Sequence, residues 1–190
     1  ILNEFSAIAQ QFKGVMHSFI GDKLVVSWNA INSVIDRQYL ACATAIKCSE
    51  ALSSNLHPQW KMARLPLVEC SFAIASGGTL CGNIGSSFQK GYVQFAPMLT
   101  RVWRMAKIVK SYNLDTNIIL DDDTFRFISM KFTARIIDVV QFKDIQHTSD
   151  FGFEKIYTLV SQKKMENDEW IYELDELEKQ GEKGATKLIE

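Results

Sequence analysis

The side chains of this sequence that could take part in chemistry are few and widely spaced. Asp22 follows a glycine between two short runs of β-forming residues, so its carboxylate lies at a predicted hairpin tip, where it could bind a metal ion or simply suit a tight turn. Arg104 and Lys143 are cations that could contact phosphate. A helical Arg is often solvated or salt-bridged, however, and Asp144 would partly cancel the charge of Lys143.

Other common site chemistries are not indicated. The cysteines lack Cys-x-x-Cys spacing and lie in apolar segments, which favours reduced core thiols, and the histidines have no Ser or Cys at triad spacing. The glycines of the central region flank strands instead of opening a helix, so a turn-forming role is favoured over a phosphate cradle. The residues concerned are Cys42, Cys48, Cys70, Cys81, His17, His57, His147, Gly77, Gly78, Gly82 and Gly85.

Composition indicates a soluble globular protein of one domain. The 190 residues are 47% hydrophobic and 23% charged, and 21 basic against 22 acidic residues give a net charge of −1. That balance provides no field to attract nucleic acid or an anionic membrane, so any anion site must be local. No apolar stretch is long enough to span a bilayer, and the first residues have no signal-peptide layout, so we expect a cytoplasmic protein. Because the sequence lacks an initiating Met, we also expect residues before Ile1.

Periodicity predicts an α+β domain in which helices cover a mainly antiparallel sheet. The predicted helices are 2–12, 36–54, 97–111 and 122–128, with Asp36 capping or charging the first turn of the second helix. The predicted strands are 15–20, 23–28, 70–76, 79–81, 92–95, 117–120, 132–142 and 153–160.

We expect 70–76 and 79–81 to form a hairpin around Gly77-Gly78, 82–85 to be a polar loop, and 55–66 to be another loop. The core domain is predicted over 1–160, with 161–190 as an acidic helical extension or tail.

Three segments in this order resemble class III adenylyl and guanylyl cyclase domains. They are Phe-Ile-Gly-Asp at 19–22, the strand and Gly-turn passage that ends in Gly-Asn-Ile-Gly at 82–85, and Phe142-Lys143 before the closing strand. The resemblance implies a ferredoxin-like cyclase fold and a reaction in which a ribose 3′-hydroxyl attacks the α-phosphate of ATP or GTP. It also implies a site shared between two such domains, two magnesium or manganese ions held by carboxylates, and cationic and amide groups that stabilise the transition state.

The resemblance assigns roles to individual positions. Asp22 matches the second metal carboxylate, whereas the first belongs on a strand that precedes the entry helix and so is expected before Ile1. Ser18 stands where adenylyl cyclases carry a base-recognition Lys. Pro97 stands where a base-contacting Asp is expected, and Thr100 where the catalytic Asn belongs. Arg104 is retained, and Lys143 matches a triphosphate-contacting Lys.

Three functions follow as hypotheses. The first is a degenerate cyclase domain that dimerises and acts as a regulatory or structural half, because Ser18, Pro97 and Thr100 depart from the pattern. The second is the metal-carrying half of an active heterodimer, because Asp22 remains. The third is a non-enzymatic assembly module that uses the old dimer surface and the acidic helix. Trp103, between Arg101 and Arg104, is expected to mark a partner-facing edge.

Overall fold

A computed structural model describes residues 1–112, 114–142 and 153–163. In chain order these form α1 (Leu2–Gln11), β1 (Val15–Ile20), β2 (Lys23–Ser27), α2 (Arg37–Ala51), a π-helical turn (Leu52–Leu56), α3 (His57–Met62), β3 (Phe72–Ile74), β4 (Leu80–Gly85), β5 (Lys90–Phe95), α4 (Pro97–Ile108), a 3₁₀ turn (Val109–Ser111), β6 (Ile118–Asp121), α5 (Asp122–Ile128), β7 (Phe132–Val140) and β8 (Glu154–Gln162). The predicted α+β class is confirmed.

The strands form one four-stranded sheet and two separate two-stranded ribbons. The sheet has the order β3-β6-β8-β7, in which β3 and β6 are parallel and the other pairs are antiparallel. The ribbons are the antiparallel pairs β1-β2 and β4-β5. The predicted closing pair, 132–142 with 153–160, is therefore confirmed as β7-β8.

Helices cover both faces of the four-stranded sheet. Side chains alternate along β6, so Ile118 and Leu120 pack with α2 and α5 on one face, whereas Ile119 packs with α4 on the other. Met105 and Val109 of the α4 segment are fully buried against that second face. Helix α1 packs through Phe5 on the C-terminal end of α2. The sheet thus forms the middle layer of the domain.

Local sequence explains how several elements begin and turn. Gly21-Asp22 joins β1 to β2 as a two-residue loop in which Gly21 has a φ of 63°, as a type II′ turn requires at its first position. Pro97 occupies the first turn of α4, where a missing N–H costs little. Asp121 caps α5 by accepting a 2.9 Å hydrogen bond from the backbone N–H of Thr124.

Four predictions about local structure were wrong. The predicted loop 55–66 contains the end of a π-helical turn and helix α3, where Pro58 is tolerated because it lies in the first turn. The predicted polar loop 82–85 belongs to β4, and the strand that begins it pairs with β5 and not with β3. Instead, β3 pairs in parallel with the distant β6. Asp36 makes no side-chain cap on α2; it pairs with Lys131 at 3.1 Å.

Within the described parts of the chain, no helix is long and apolar enough to cross a membrane. The acidic segment 161–190 falls almost entirely outside the described residues, as do Lys143 and Asp144. The domain boundary near 160 therefore stays a prediction.

Candidate functional site

A cleft of about 530 Å³ opens between β2 and β3. Its two edges are the backbones of β2 and of the segment from Ala73 to Gly78, and side chains from α4, α2 and α5 line its walls. Of the described residues that sequence analysis selected, Ser18, Asp22, Pro97, Thr100 and Arg104, none lines this cleft. The cleft and the predicted site are therefore neighbouring features.

The hairpin β1-β2 carries two of the predicted residues. Asp22 is exposed at the tip, whereas Ser18 is half-buried in β1 opposite Val25, directly after a bulge at His17. Next to Asp22, the ammonium group of Lys23 lies 4.5 Å from the centre of the Trp103 ring, which belongs to α4. This cation–π contact brings the hairpin tip to the helix that carries the other predicted residues.

Helix α4 carries Pro97, Thr100 and Arg104 along one face. Their spacing of three and four residues places them one above the other on successive turns. Pro97 and Thr100 are exposed, and Arg104 is half-buried. The structure thus brings together, across the Lys23–Trp103 contact, the hairpin with Asp22 and the helix with Thr100 and Arg104, while Lys143 lies outside the described residues.

A buried cation of α4, Arg101, was missed by the sequence analysis as a site residue. The side chain of Arg101 is 5% exposed; its Nη1 lies 3.2 Å from Oδ2 of Asp121 and 3.7 Å from Oδ2 of Asp123, and its Nη2 lies 2.9 Å from Oε1 of Glu154. One guanidinium therefore connects α4 to the end of β6, to α5 and to the start of β8. The sequence position of Arg101 could have predicted its burial, because Arg101 stands four residues before Met105, on the apolar stripe of the helix.

Asp121 connects this ion-pair cluster to the cleft. Its Oδ2 accepts a 3.2 Å hydrogen bond from the backbone N–H of Ser76, which follows β3 and lines the cleft. Burial raises the pKa of Asp121, and hydrogen bonds from Thr124 and Ser76 and the charge of Arg101 oppose that rise. The site thus disfavours the charge of this carboxylate, and its specific partners offset part of that effect.

A second polar cluster joins the two ribbons. The side-chain amide of Gln94 in β5 donates to Nε2 of His17 at 2.8 Å and to Oγ of Ser27 at 3.2 Å, and His17 also contacts Oγ of Ser27. The imidazole stacks on the Tyr92 ring at a centroid distance of 5.8 Å. Burial lowers the pKa of His17, and a nitrogen that accepts from Gln94 belongs to the neutral form. The cluster therefore orders the ribbons and offers no charged group.

The described residues do not by themselves form a site for the magnesium or manganese that the resemblance implies. Asp22 offers one carboxylate on an exposed turn, and no group of three or more His, Cys, Asp or Glu residues in the described ranges could hold a metal ion. The buried carboxylates Asp121 and Glu154 are paired with Arg101 instead. No catalytic step through a metal can be derived from these residues.

Comparisons with known proteins bear on the fold. No protein-family model and no curated protein matches the sequence. Among solved structures, the guanylyl cyclase Cya2 superposes with a TM-score of 0.69 at 19% identity, over 87% of this chain and 79% of that one. The adenylyl cyclase CyaB from P. aeruginosa gives 0.64 at 21% identity, over 86% and 80%. The non-canonical dimeric guanylyl cyclase domain of the RhoGC fusion protein from Blastocladiella emersonii gives 0.60 at 19%, over 85% and 80%.

Proposed function

We propose that this chain, which has the fold of the class III nucleotide cyclase domains, is a degenerate cyclase half: a regulatory or structural member of a dimer in cytoplasmic cyclic-nucleotide signalling. The observation that carries the proposal is the exposed face of α4. Pro97 and Thr100 stand there at the positions that the resemblance gives to a base-contacting Asp and a catalytic Asn. Proline has no side-chain group for hydrogen bonding to a base, and threonine lacks the amide that positions ribose.

The loss extends to the hairpin that faces α4. Ser18 offers a hydroxyl where adenylyl cyclases present a cation, so neither element supplies the usual base contact. Arg104 alone matches the pattern on α4. The changes at Ser18 and Pro97 remove base contacts and so weaken nucleotide binding, whereas Thr100 replaces a group that acts in the transition state, a loss that typically costs about 10²–10³-fold in rate.

A turnover assay tests this proposal. The purified chain is given ATP or GTP with manganese, and Cya2 serves as the active control under the same conditions. We expect no cyclic nucleotide from this chain, and metal-dependent product from a homodimer would overturn the proposal. The variant S18K/P97D/T100N restores the three polar groups, so we expect it to bind a fluorescent nucleotide more tightly than the parent chain does. T100A is the matched control, because it changes α4 without restoring a contact.

The β4-β5 ribbon supports a second cyclase domain as the partner. Its inner face contacts the β1-β2 side: Tyr92 Oη donates to the carbonyl oxygen of Ala30 at 2.6 Å. On its outer face Leu80 lies opposite Phe95, and these side chains are 72% and 55% exposed; Ile84, four residues further along the same face of β4, is 47% exposed. Exposed apolar side chains on one face of a ribbon are typical of a protein–protein interface.

Sedimentation of two surface variants tests the partner surface. L80D/F95D places charge on the outer face of the ribbon, and I136D/V139D places the same charge on exposed apolar residues of β7. We expect the first variant to abolish self-association, or association with a second cyclase domain, and the second variant to leave it intact. Equal effects would contradict a role for the ribbon.

The alternative, a metal-carrying half of an active heterodimer, is favoured by the exposure of Asp22. Its carboxylate stands at a hairpin tip beside α4, where a partner domain could share a bound ion. Mixing the chain with a second cyclase domain that lacks its own metal carboxylates tests this function. Product that appears in the mixture and is lost with D22N would support the alternative over the degenerate half; product that D22N leaves unchanged would contradict it.

A further inference from the structure

The outer side of α5 carries large apolar side chains that no described residue covers. Phe127 of this helix is 64% exposed, and Met130, just after the helix, is 85% exposed. Ile35, which is 86% exposed, lies near them because its neighbour Asp36 pairs with Lys131 at 3.1 Å. We call Ile35, Phe127 and Met130 the α5 patch. Large exposed apolar side chains grouped in this way are typical of a surface that binds another chain segment.

Three cations rim the α5 patch, and they are Arg126, Lys131 and Lys163. Arg126 stands four residues before Met130, and the ammonium group of Lys163 donates to the carbonyl oxygen of Ser129 at 2.8 Å. The two carboxylates that pair with Arg126 and Lys131 balance only part of this charge. Among the described residues, the rim therefore has a positive balance that suits an acidic occupant.

The chain contains a segment with the complementary pattern, at 166–178, outside the described residues. Its sequence includes no basic residue and seven acidic ones, which are Glu166, Asp168, Glu169, Glu173, Asp175, Glu176 and Glu178. Apolar residues recur in it at intervals of four and three, which predicts one helical stripe formed by Trp170, Leu174 and Leu177. On such a helix Glu173 and Glu178 stand on either side of the stripe. The segment thus matches an apolar surface that is rimmed by cations.

Strand β8 ends at the rim of the α5 patch. The backbone N–H of Lys163, just after the strand, donates to the carbonyl oxygen of Lys131 at 3.0 Å. Trp170 follows seven positions later, and an extended chain spans about 3.3–3.6 Å per residue, so the stripe can reach the whole patch. A segment joined by so short a connection has an effective concentration in the millimolar range. Modest affinity is therefore sufficient for it to dock.

We propose that residues 166–178 form an amphipathic helix that docks on the α5 patch of the same chain. Its stripe of Trp170, Leu174 and Leu177 covers the patch, and its flanking carboxylates face the cations of the rim. In the docked state the acidic segment is bound by its own domain and is not accessible to an outside partner. The proposal rests on the surface of α5 and not on nucleotide chemistry, so it can fail while the proposed function stands.

Fluorine NMR of the full chain labelled with 5-fluorotryptophan tests the docking. Trp170 is one of four tryptophans, and W170F assigns its signal. Met130→Asp places a charge in the patch at an exposed position, so we expect the Trp170 signal to move to its shift in the urea-unfolded chain. Met62→Asp is the matched control, because Met62 is 80% exposed on α3, and it should leave the signal in place. The proposal is overturned if the parent chain already gives the unfolded shift, or if both variants act alike.

Cleavage by a glutamate-specific protease within 166–178 provides an independent measurement. Cleavage follows the population of the undocked segment, so we expect M130D to be cut at least about tenfold faster than the parent chain and M62D to be cut like the parent. The rate for the parent should not depend on protein concentration. Protection that grows with concentration would place the segment on a second copy and overturn docking within one chain.

A pair of charge reversals tests the orientation of the docked helix. Glu173→Lys and Asp175→Lys change the net charge equally, but position 173 lies beside the apolar stripe and position 175 on the far side of the helix. We expect E173K to move the Trp170 fluorine signal toward its unfolded shift and D175K to leave it close to that of the parent. Equal effects of the two variants would contradict this helical docking, because general charge attraction does not depend on the face.

Discussion

Nη2 of Arg101 lies 2.9 Å from Oε1 of Glu154, which pairs a cation on the core stripe of α4 with the residue that opens β8. Both side chains are nearly fully buried, so neither charge has water as an alternative partner. The strength of such an arrangement appears when one member is removed, because the other charge is then left buried and uncompensated.

We therefore expect Arg101→Met to destabilise the domain by about 3–5 kcal/mol, measured by urea unfolding. The double variant R101M/E154Q should recover part of that loss, because it neutralises one of the carboxylates left behind. The matched control is Arg126→Met: Arg126 is 71% exposed and pairs with Asp122 on the helix surface, so its loss should cost about 0.5 kcal/mol or less. Similar costs for R101M and R126M would show that the buried cluster is not a structural centre.

His17 should make the domain sensitive to mild acid. Burial lowers its folded-state pKa below the ordinary histidine value of 6.5, so as the pH falls below 6.5 the unfolded chain binds a proton that the folded chain does not. Stability is thus full above pH 6.5 and decreases as the pH falls toward the folded-state pKa. His17→Gln should flatten the dependence of Tm on pH between 7.5 and 5. If the Tm of the parent chain and that of His17→Gln change with pH in the same way, protonation of His17 is not coupled to folding.

The cysteines should differ in reactivity according to their position in the fold. Burial raises the pKa of Cys42 to about 12, with a further contribution from the charge of Asp121, and burial raises that of Cys48 to about 12 as well. Because the thiolate is the reactive species, timed alkylation at pH 8 followed by mass spectrometry should find Cys81, which is half-exposed, modified well before either of these. All sites should react alike in urea, and early labelling of Cys42 in the folded protein would contradict the structure.

The contact between Lys23 and Trp103 should contribute modestly to stability. We expect Lys23→Met and Trp103→Leu to show a coupling of about 0.5–1 kcal/mol in a double-mutant cycle, because an exposed ammonium group over an indole ring gains an interaction of that size. Lys110→Met, at an exposed position of the segment that follows α4, provides the control cycle with Trp103→Leu. No coupling in the first cycle would mean that the hairpin tip is not held against α4.

Local patterns in the sequence were sufficient to predict the hairpin and the helix that carry the predicted site residues. The two-residue Gly21-Asp22 loop fixes the β1-β2 hairpin, and the apolar repeat after Pro97 fixes α4, because both signals arise within a few residues. Prediction from local patterns failed at Gly82 and Gly85. Two glycines in a short run suggested a loop, but cross-strand pairing of Gly82 with Val93 places them in β4.

Non-local features could not be predicted in the same way. The parallel pairing of Phe72 with Ile118 joins strands that are separated by a ribbon, helix α4 and a 3₁₀ turn, and no local signal specifies it. Arg101 is similar, since a cation on an apolar stripe has no interpretation until Asp121 and Glu154 are known to face it. The cleft between β2 and β3 likewise follows from how distant elements pack and not from any motif.

The shared guanidinium also constrains how this sequence can diverge. Positions 101 and 154 lie far apart in the chain but belong to one charge balance. Loss of Glu154 alone leaves Arg101 paired with Asp121 and Asp123, whereas loss of Arg101 leaves the carboxylates of Asp121 and Glu154 buried and uncompensated. The cation is therefore the position that should change last, and related sequences without it should also lack the acidic residues at 121 and 154.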